Sequence, residues 1–161
     1  RRRRESEYAV QLKEKQKAKY TYGLLERQFK NLFNKAARKR GVTGNILLQM
    51  LESRLDNTVF RMGFGRTRRQ ARQFVTHGHI LVNDRPVDVP SYVIGADDIV
   101  EVRPRSKNIE PIQENTERQR RVFPWLEVDY GKAKGRMVRL PEVDEIPENI
   151  DAQLIVELYS K

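Results

Sequence analysis

With 161 residues, 34% of them charged, and a mean hydropathy of -0.76, the chain has apolar material for one modest core or two small ones. Its 32 Lys and Arg against 22 Asp and Glu give a net charge of +10 and a pI near 10.0, which points to a polyanionic partner, nucleic acid before an anionic membrane. No apolar run approaches the roughly 20 residues that cross a bilayer, and the lack of cysteine removes disulfides, thiolate nucleophiles and Cys-ligated zinc and fits a reducing, intracellular compartment.

The charge is unevenly spread. Residues 1 to 80 hold twenty basic and six acidic side chains, residues 81 to 161 twelve and sixteen, so the anionic ligand is expected mainly on the first half. The chain begins at Arg1 rather than Met, as a trimmed molecule would. Arg1, Arg2, Arg3 and Arg4 form a basic run that reads as an arm, either solvated or laid on RNA. From Ser6 to Tyr20 the composition favours a helix, with Lys13, Lys15, Lys17 and Lys19 alternating and therefore spread around its whole circumference. Gly23 interrupts it. Leu25, Phe29, Leu32, Phe33 and Ala36 then recur at helical spacing as far as Lys39, with Gly41 where a helix end would place it.

Leu48, Leu51, Leu55, Val59 and Met62 make one apolar stripe that predicts a single continuous helix ended by Gly63 and Gly65. Thr67, with Gln70 three residues on, is a capping-box signature opening a short helix closed by Gly78. On that helix Ala71, Phe74 and Val75 share one side, and Arg68, Arg69 and Arg72 fall within an arc of about 100° beside it, at a step of about 100° per residue.

The period then changes. Ile80–Val82, a turn at Asn83-Asp84, Arg85–Val87 and Ile99–Val102 read as a small antiparallel sheet whose middle strand, carrying Pro86, is short or at an edge. Further strands are expected around Trp125–Val128 and Arg136–Leu140, a helix within residues 108–121, and a helix in preference to a strand over Ile150–Tyr159. The fold class is α+β: a helical domain of residues 1–50 joined by the tail 141–161, and an inserted module, residues 51–140, of short helices packed on the sheet.

Three arginines on one arc beside a positive helix N-terminus make a phosphate-binding edge, because guanidinium groups pair with phosphate oxygens in a bidentate fashion. Arg54 and Arg61, two turns apart on the preceding helix, are expected either at RNA or in salt bridges with Glu52 or Asp56. His77 and His79 lack the further ligands a metal needs, and hydrogen bonding to backbone or RNA is expected of them. Phe64 and Trp125 suit a core, whereas Tyr20 and Tyr22 suit base stacking or packing equally. Asp97-Asp98 and Asp144-Glu145 sit in predicted turns with no base or nucleophile beside them, so neither catalysis nor a cofactor is expected.

Leu51-Glu52-Ser53-Arg54-Leu55-Asp56-Asn57, Arg66-Thr67-Arg68-Arg69-Gln70-Ala71-Arg72-Gln73, His77-Gly78-His79-Ile80-Leu81-Val82-Asn83 and Pro90-Ser91-Tyr92 together resemble the RNA-binding module named after ribosomal protein S-four. That module also occurs in some pseudouridine synthases, a heat-shock RNA-binding protein and tyrosyl-tRNA synthetases. Glu14–Lys17, Tyr22-Gly23, Glu26–Phe29 and the terminal Leu154–Lys161 extend the resemblance to the bacterial-type small-subunit ribosomal protein family itself. Two departures stand out: Asn83-Asp84 replaces the Asn-Gly frequent in the family, and the roughly forty residues that precede this point in family members are absent.

The resemblance implies a structural, non-enzymatic protein of the ribosome, cytoplasmic in the first instance with an organellar ribosome as the alternative. It would bind small-subunit ribosomal RNA in the 5′ domain at a multi-helix junction, nucleate assembly and influence translational accuracy. Ribosomal protein S-five and mRNA near the entry channel are the implied partners, and no membrane. The RNA-binding residues are then Arg66, Thr67, Arg68, Arg69, Arg72, Gln73 and His77 of the module with Arg54, and Arg1, Arg2, Arg3, Arg4, Lys13, Lys17, Lys19, Tyr20 and Arg27 before it. The rivals are an RNA-modifying enzyme carrying the module, for which the chain leaves no room, and a DNA-binding helix-turn-helix protein.

Overall fold

The structure is a computed structural model that describes residues 4–118 and 121–161. Among them the helices are α1 Glu7–Tyr22, α2 Glu26–Arg38, α3 Thr43–Glu52, α4 Leu55–Arg61, α5 Arg68–Thr76, α6 Glu110–Glu117 and α7 Ala152–Tyr159, and the strands are β1 Ile80–Val82, β2 Arg85–Pro86, β3 Ile99–Val102, β4 Leu126–Asp129 and β5 Lys134–Met137. The fold class is α+β. The chain divides into two compact units, Arg1–Leu51 with Ile146–Lys161, and Glu52–Glu145.

Local chemistry sets the ends of the first unit's helices. Ser6 caps α1, its Oγ accepting from Ala9 N at 3.1 Å, and Gly23 ends it in the left-handed region at φ 73°. The lysine-rich α1 still has an inner face of Gln11, Lys15, Ala18 and Tyr22. Lys15 is tolerated there because its ammonium reaches Glu26 at 2.8 Å. Helix α7 is tied to α1 and α2 by polar bonds: Gln11 Nε2 donates to Glu157 Oε2 at 3.2 Å, and Tyr159 donates to Glu26 Oε1 at 3.3 Å. The Tyr159 ring lies 4.4 Å from that of Phe33.

The continuous helix predicted through Leu48 to Met62 is broken into α3 and α4. Arg54 takes an extended conformation at φ -63°, ψ 142°, and Ser53, Leu55 and Asp56 bond to a loop far along the chain. Ile94 N donates to Ser53 O at 2.8 Å, while Leu55 N and Asp56 N donate to Tyr92 O at 2.8 Å and Pro90 O at 3.1 Å. Those two amides would have had no partner at the start of a helix, so the loop carbonyls satisfy them and stabilise the break.

The second unit's sheet is wholly antiparallel, in the order β2-β1-β3-β5-β4. Asn83 and Asp84 both take positive φ, 50° and 67°, as a two-residue hairpin turn requires, so Asp serves where Asn-Gly is commoner. Asn83 Oδ1 accepts from Ile99 N at 2.9 Å and locks the turn to β3. Strand β5 starts two residues earlier than predicted, because Lys134 pairs with Asp129 and Gly135 with Val128 across a tight turn. The close approach at Gly135 explains the choice of residue: a Cβ there would stand 2.6 Å from Met62 Sδ. Leu55, Val59, Met62, Phe64, Ala71, Phe74 and Val75 from the helical side pack with Ile80, Val82, Val100, Val102, Trp125 and Met137 in one core.

Inside this unit lies a charge cluster. Arg61 donates to Glu52 through Nε at 2.9 Å and Nη2 at 2.8 Å, and both side chains are almost fully enclosed. Removing one partner of such a pair leaves an enclosed charge, at about 3–5 kcal/mol. Arg61→Met should therefore lower the stability of the unit by that amount in urea unfolding followed by the fluorescence of Trp125, the chain's one tryptophan. A loss below about 1 kcal/mol would mean that Glu52 is compensated elsewhere.

Candidate nucleic-acid interface

The short helix α5 is built from both ends. At its start Thr67 Oγ1 accepts from Gln70 N at 3.0 Å, as the capping signature predicts. The reciprocal half differs: Gln70 Oε1 accepts not from Thr67 but from Arg66 N at 2.7 Å, and also from Asn115 Nδ2 at 2.9 Å. Asn115 further donates to Phe64 O at 2.9 Å, so α6 holds the loop that leads into α5. Gly65 lets that loop come close, since a Cβ would stand 2.6 Å from the Ala71 Cβ. The inner face of Ala71, Phe74 and Val75 is buried, and Arg66, Thr67, Arg69, Gln73 and His77 are exposed.

The arginines of the arc are not equivalent. Arg69 is exposed, and neither it nor Arg66 has a carboxylate partner among the described residues. Arg68 and Arg72 are half-buried. Arg68 Nε donates to Asn57 Oδ1 at 2.9 Å, and its guanidinium carbon lies 4.6 Å from the centre of the Phe60 ring, so the packed interior holds its plane. Arg136 of β5 and Arg139 just after it are differently placed: Arg136 is paired with Asp97 at 2.6 Å and Glu127 at 3.1 Å, and Arg139 with Glu145 at 2.6 Å. Arg139 and the backbone N–H of Glu142 together hold the Glu145 carboxyl down at about 2. Arg66 and Arg69 thus leave positive charge uncompensated at the N-terminal end of α5, whose amides add their own partial charge.

Arg54 lies inside the unit and takes the salt-bridge alternative. Its Nε and Nη2 donate to Asp56 Oδ1 at 3.2 Å and Oδ2 at 3.1 Å, and it is only 4% exposed. His77 and His79 lie at the other end of α5, their rings 6.4 Å apart. His79 Nδ1 is 2.8 Å from Ser106 Oγ. Burial, with the nearby charges of His77 and Arg103, keeps the His79 imidazole below its ordinary value, in favour of the neutral form. Sequence reading missed Arg103. Nothing local marks it, and only the pairing of Ile80 with Val102 sets it beside His79, whose carbonyl accepts from Arg103 N at 2.8 Å.

In the other unit, Arg4, Lys13, Lys17, Tyr20 and Arg27 are exposed and Lys19 is half-buried. Lys13 is paired with Glu5, Lys17 with Glu14 at 3.7 Å, and Lys19 with Glu26 at 3.6 Å. Tyr20 is 72% exposed and Tyr22 only 2%, so of the two only Tyr20 presents a ring to a base. Phe64 and Trp125 are buried in the core. Arg1, Arg2 and Arg3 lie outside the described residues. Among those described, no group of three His, Asp or Glu could hold a metal ion, and no helix is long and apolar enough to cross a membrane.

A helix-pair-and-sheet unit with one arginine-edged helix defines a nucleic-acid-binding module, and the comparisons specify which. Residues 53–100 match the S4 domain, and residues 1–52 match the ribosomal protein S4/S9 N-terminal domain. The chain is 68% identical over its whole length to the small ribosomal subunit protein uS4 of Salinibacter ruber, covering 80% of that protein. It is 56% identical over 99% of its length to the uS4 protein of Cytophaga hutchinsonii, covering 80% of it, and 50% identical over 99% to that of Thermus thermophilus, covering 77%. The chain belongs to the small ribosomal subunit protein uS4 family, whose members are structural proteins and not enzymes.

The two classes of arginine should separate in measurement. Arg69→Ala should change stability by no more than about 0.5 kcal/mol while lowering the magnitude of the salt slope of RNA binding by about 1. Arg68→Ala should lower the slope similarly and also cost about 1 kcal/mol of stability, because Asn57 Oδ1 loses its donor. An Arg69 variant that binds like wild type at every salt concentration would turn this face to solvent or to another protein.

Proposed function

We propose that this chain is a structural component of the small ribosomal subunit that holds folded ribosomal RNA by shape and phosphate. The observation that carries it is the N-terminal edge of α5, where Arg66 and Arg69 are exposed without acidic partners among the described residues and Arg68 is held in place from within. A-form major grooves are too narrow for side chains to read, whereas a junction presents several backbones at once to a fixed set of guanidinium groups. Arg66, Thr67, Arg68, Arg69, Arg72, Gln73 and His77 form the module's contact surface in this reading, and Arg4, Lys13, Lys17, Lys19, Tyr20 and Arg27 are a separate set of contacts on the helical unit. Arg54 supports the module from inside.

The RNA target is the 5′ domain at a multi-helix junction, and the role includes nucleation of subunit assembly and an effect on translational accuracy. Ribosomal protein S-five and mRNA near the entry channel are the proposed neighbours, in a bacterial cytoplasmic ribosome. This part of the reading rests on the family resemblance.

Binding of the full chain to a structured fragment of small-subunit ribosomal RNA, compared with duplex DNA of equal length at fixed salt, tests the reading. The ribosomal RNA should be preferred by at least about a hundredfold, since contacts to phosphate alone give only the weak, sequence-independent binding common to all polyanions. Equal affinity for the two would favour the helix-turn-helix alternative.

A further inference from the structure

Arginine loses much rotamer freedom when it is fixed on a ligand, so one held in its binding orientation beforehand binds more tightly than one that must be ordered on contact. Asn57 supplies such a hold. It is 1% exposed, and its Nδ2 donates to Glu52 O at 3.0 Å and to Glu52 Oε1 at 2.8 Å. Both of those atoms only accept, so the side-chain amide is turned one way and Oδ1 must face the opposite direction. There it accepts from Arg68 Nε at 2.9 Å. The Phe60 ring, 4.6 Å from the guanidinium carbon, lies against the flat face of the same group.

We propose that Asn57 is a positioning residue for RNA recognition, holding the Arg68 guanidinium in the orientation in which it meets phosphate, with Glu52 orienting Asn57 in turn. The inference rests on the reading that Arg68 contacts ribosomal RNA. An Nε bond fixes the plane and direction of a guanidinium at its root, while the phosphate-matching fork lies at the terminal nitrogens. Glu52 is itself held by Arg61, so the support runs from an enclosed ion pair through a buried amide to a half-exposed arginine. Arg66 and Arg69, the exposed members of the same edge, have no side-chain hydrogen bond of this kind among the described residues.

The test is a double-mutant cycle in the full chain, with affinity for the ribosomal RNA fragment and thermal midpoint measured on Asn57→Ala, Arg68→Ala and the double variant. Asn57→Ala should weaken binding roughly three- to tenfold when Arg68 is present, the cost of ordering one long side chain on contact. It should have no further effect on binding in the Arg68→Ala background, although its thermal destabilisation persists in both. Because loss of Asn57 disturbs Glu52 and endangers folding, Phe60→Leu is the second probe: it keeps the Glu52–Asn57 bonds and removes the ring. Phe60→Leu should likewise weaken binding only when Arg68 is present. Equal losses in both backgrounds, or no loss from either variant while Arg68→Ala binds more weakly, would overturn the positioning role. If Arg68→Ala binds like wild type across salt concentrations, the underlying reading of Arg68 fails and the positioning role fails with it.

Discussion

The side chain of Glu52 is fully enclosed, and a carboxylate there is tolerable only if cations and donors surround it. Arg61 supplies two bonds and Asn57 a third, and Asn57 is thereby turned so that its oxygen meets Arg68. One desolvated charge therefore fixes the end of α3, the body of α4 and the start of α5 as a single polar network. Such a network is possible only because the chain leaves helical geometry at Ser53 and Arg54, where the 90–94 segment takes over the backbone bonds. Satisfying every member matters more than the strength of any one bond, since a half-satisfied buried network is worse than an apolar core.

Electrostatics outside the core follows the same economy of partners. Arginines on β5 and just after it face carboxylates of the neighbouring strand β4 and of nearby connecting segments, and their charge is locally cancelled. Those at the start of α5 meet no carboxylate among the described residues at Arg66 and Arg69, and the helix N-terminus adds to their field. An excess of positive charge is common to basic proteins. What suits a phosphate backbone is that these arginines are carried at one rigid helix end, where guanidinium groups can meet phosphate oxygens together.

What was legible in the sequence was what local chemistry decides. Ser6, Gly23 and Thr67 act within one turn of their own position, so the ends they set could be read directly. The turn at Asn83-Asp84 and the inner face of α5 were legible for the same reason, and the changed period marked 80–82 and 99–102 as strands without giving their pairing. The break between α3 and α4 was not, because an unbroken apolar stripe passes through it and its cause lies some forty residues downstream. Arg54 shows the limit for sites: the same Arg beside the same Asp56 reads as surface or interior until burial is known. Asn57 was visible only as part of the family motif and Arg103 not at all, since the one acts through an amide orientation and the other is placed by strand register.

If the arginine edge of α5 lies on the RNA, as proposed, a cleaving probe tethered beside it reports the contact directly. Because the chain has no cysteine, a single one can be placed as a tether for an iron chelate that cleaves nearby RNA. Thr76 is exposed and sits one to two turns beyond Arg69 and Arg72 on the same side of α5, and Asp129 is exposed at the end of the edge strand β4. Focused cleavage of the bound ribosomal RNA fragment is expected from Thr76→Cys and little from Asp129→Cys. Stronger cleavage from Asp129→Cys, with none from Thr76→Cys, would contradict the proposed contact.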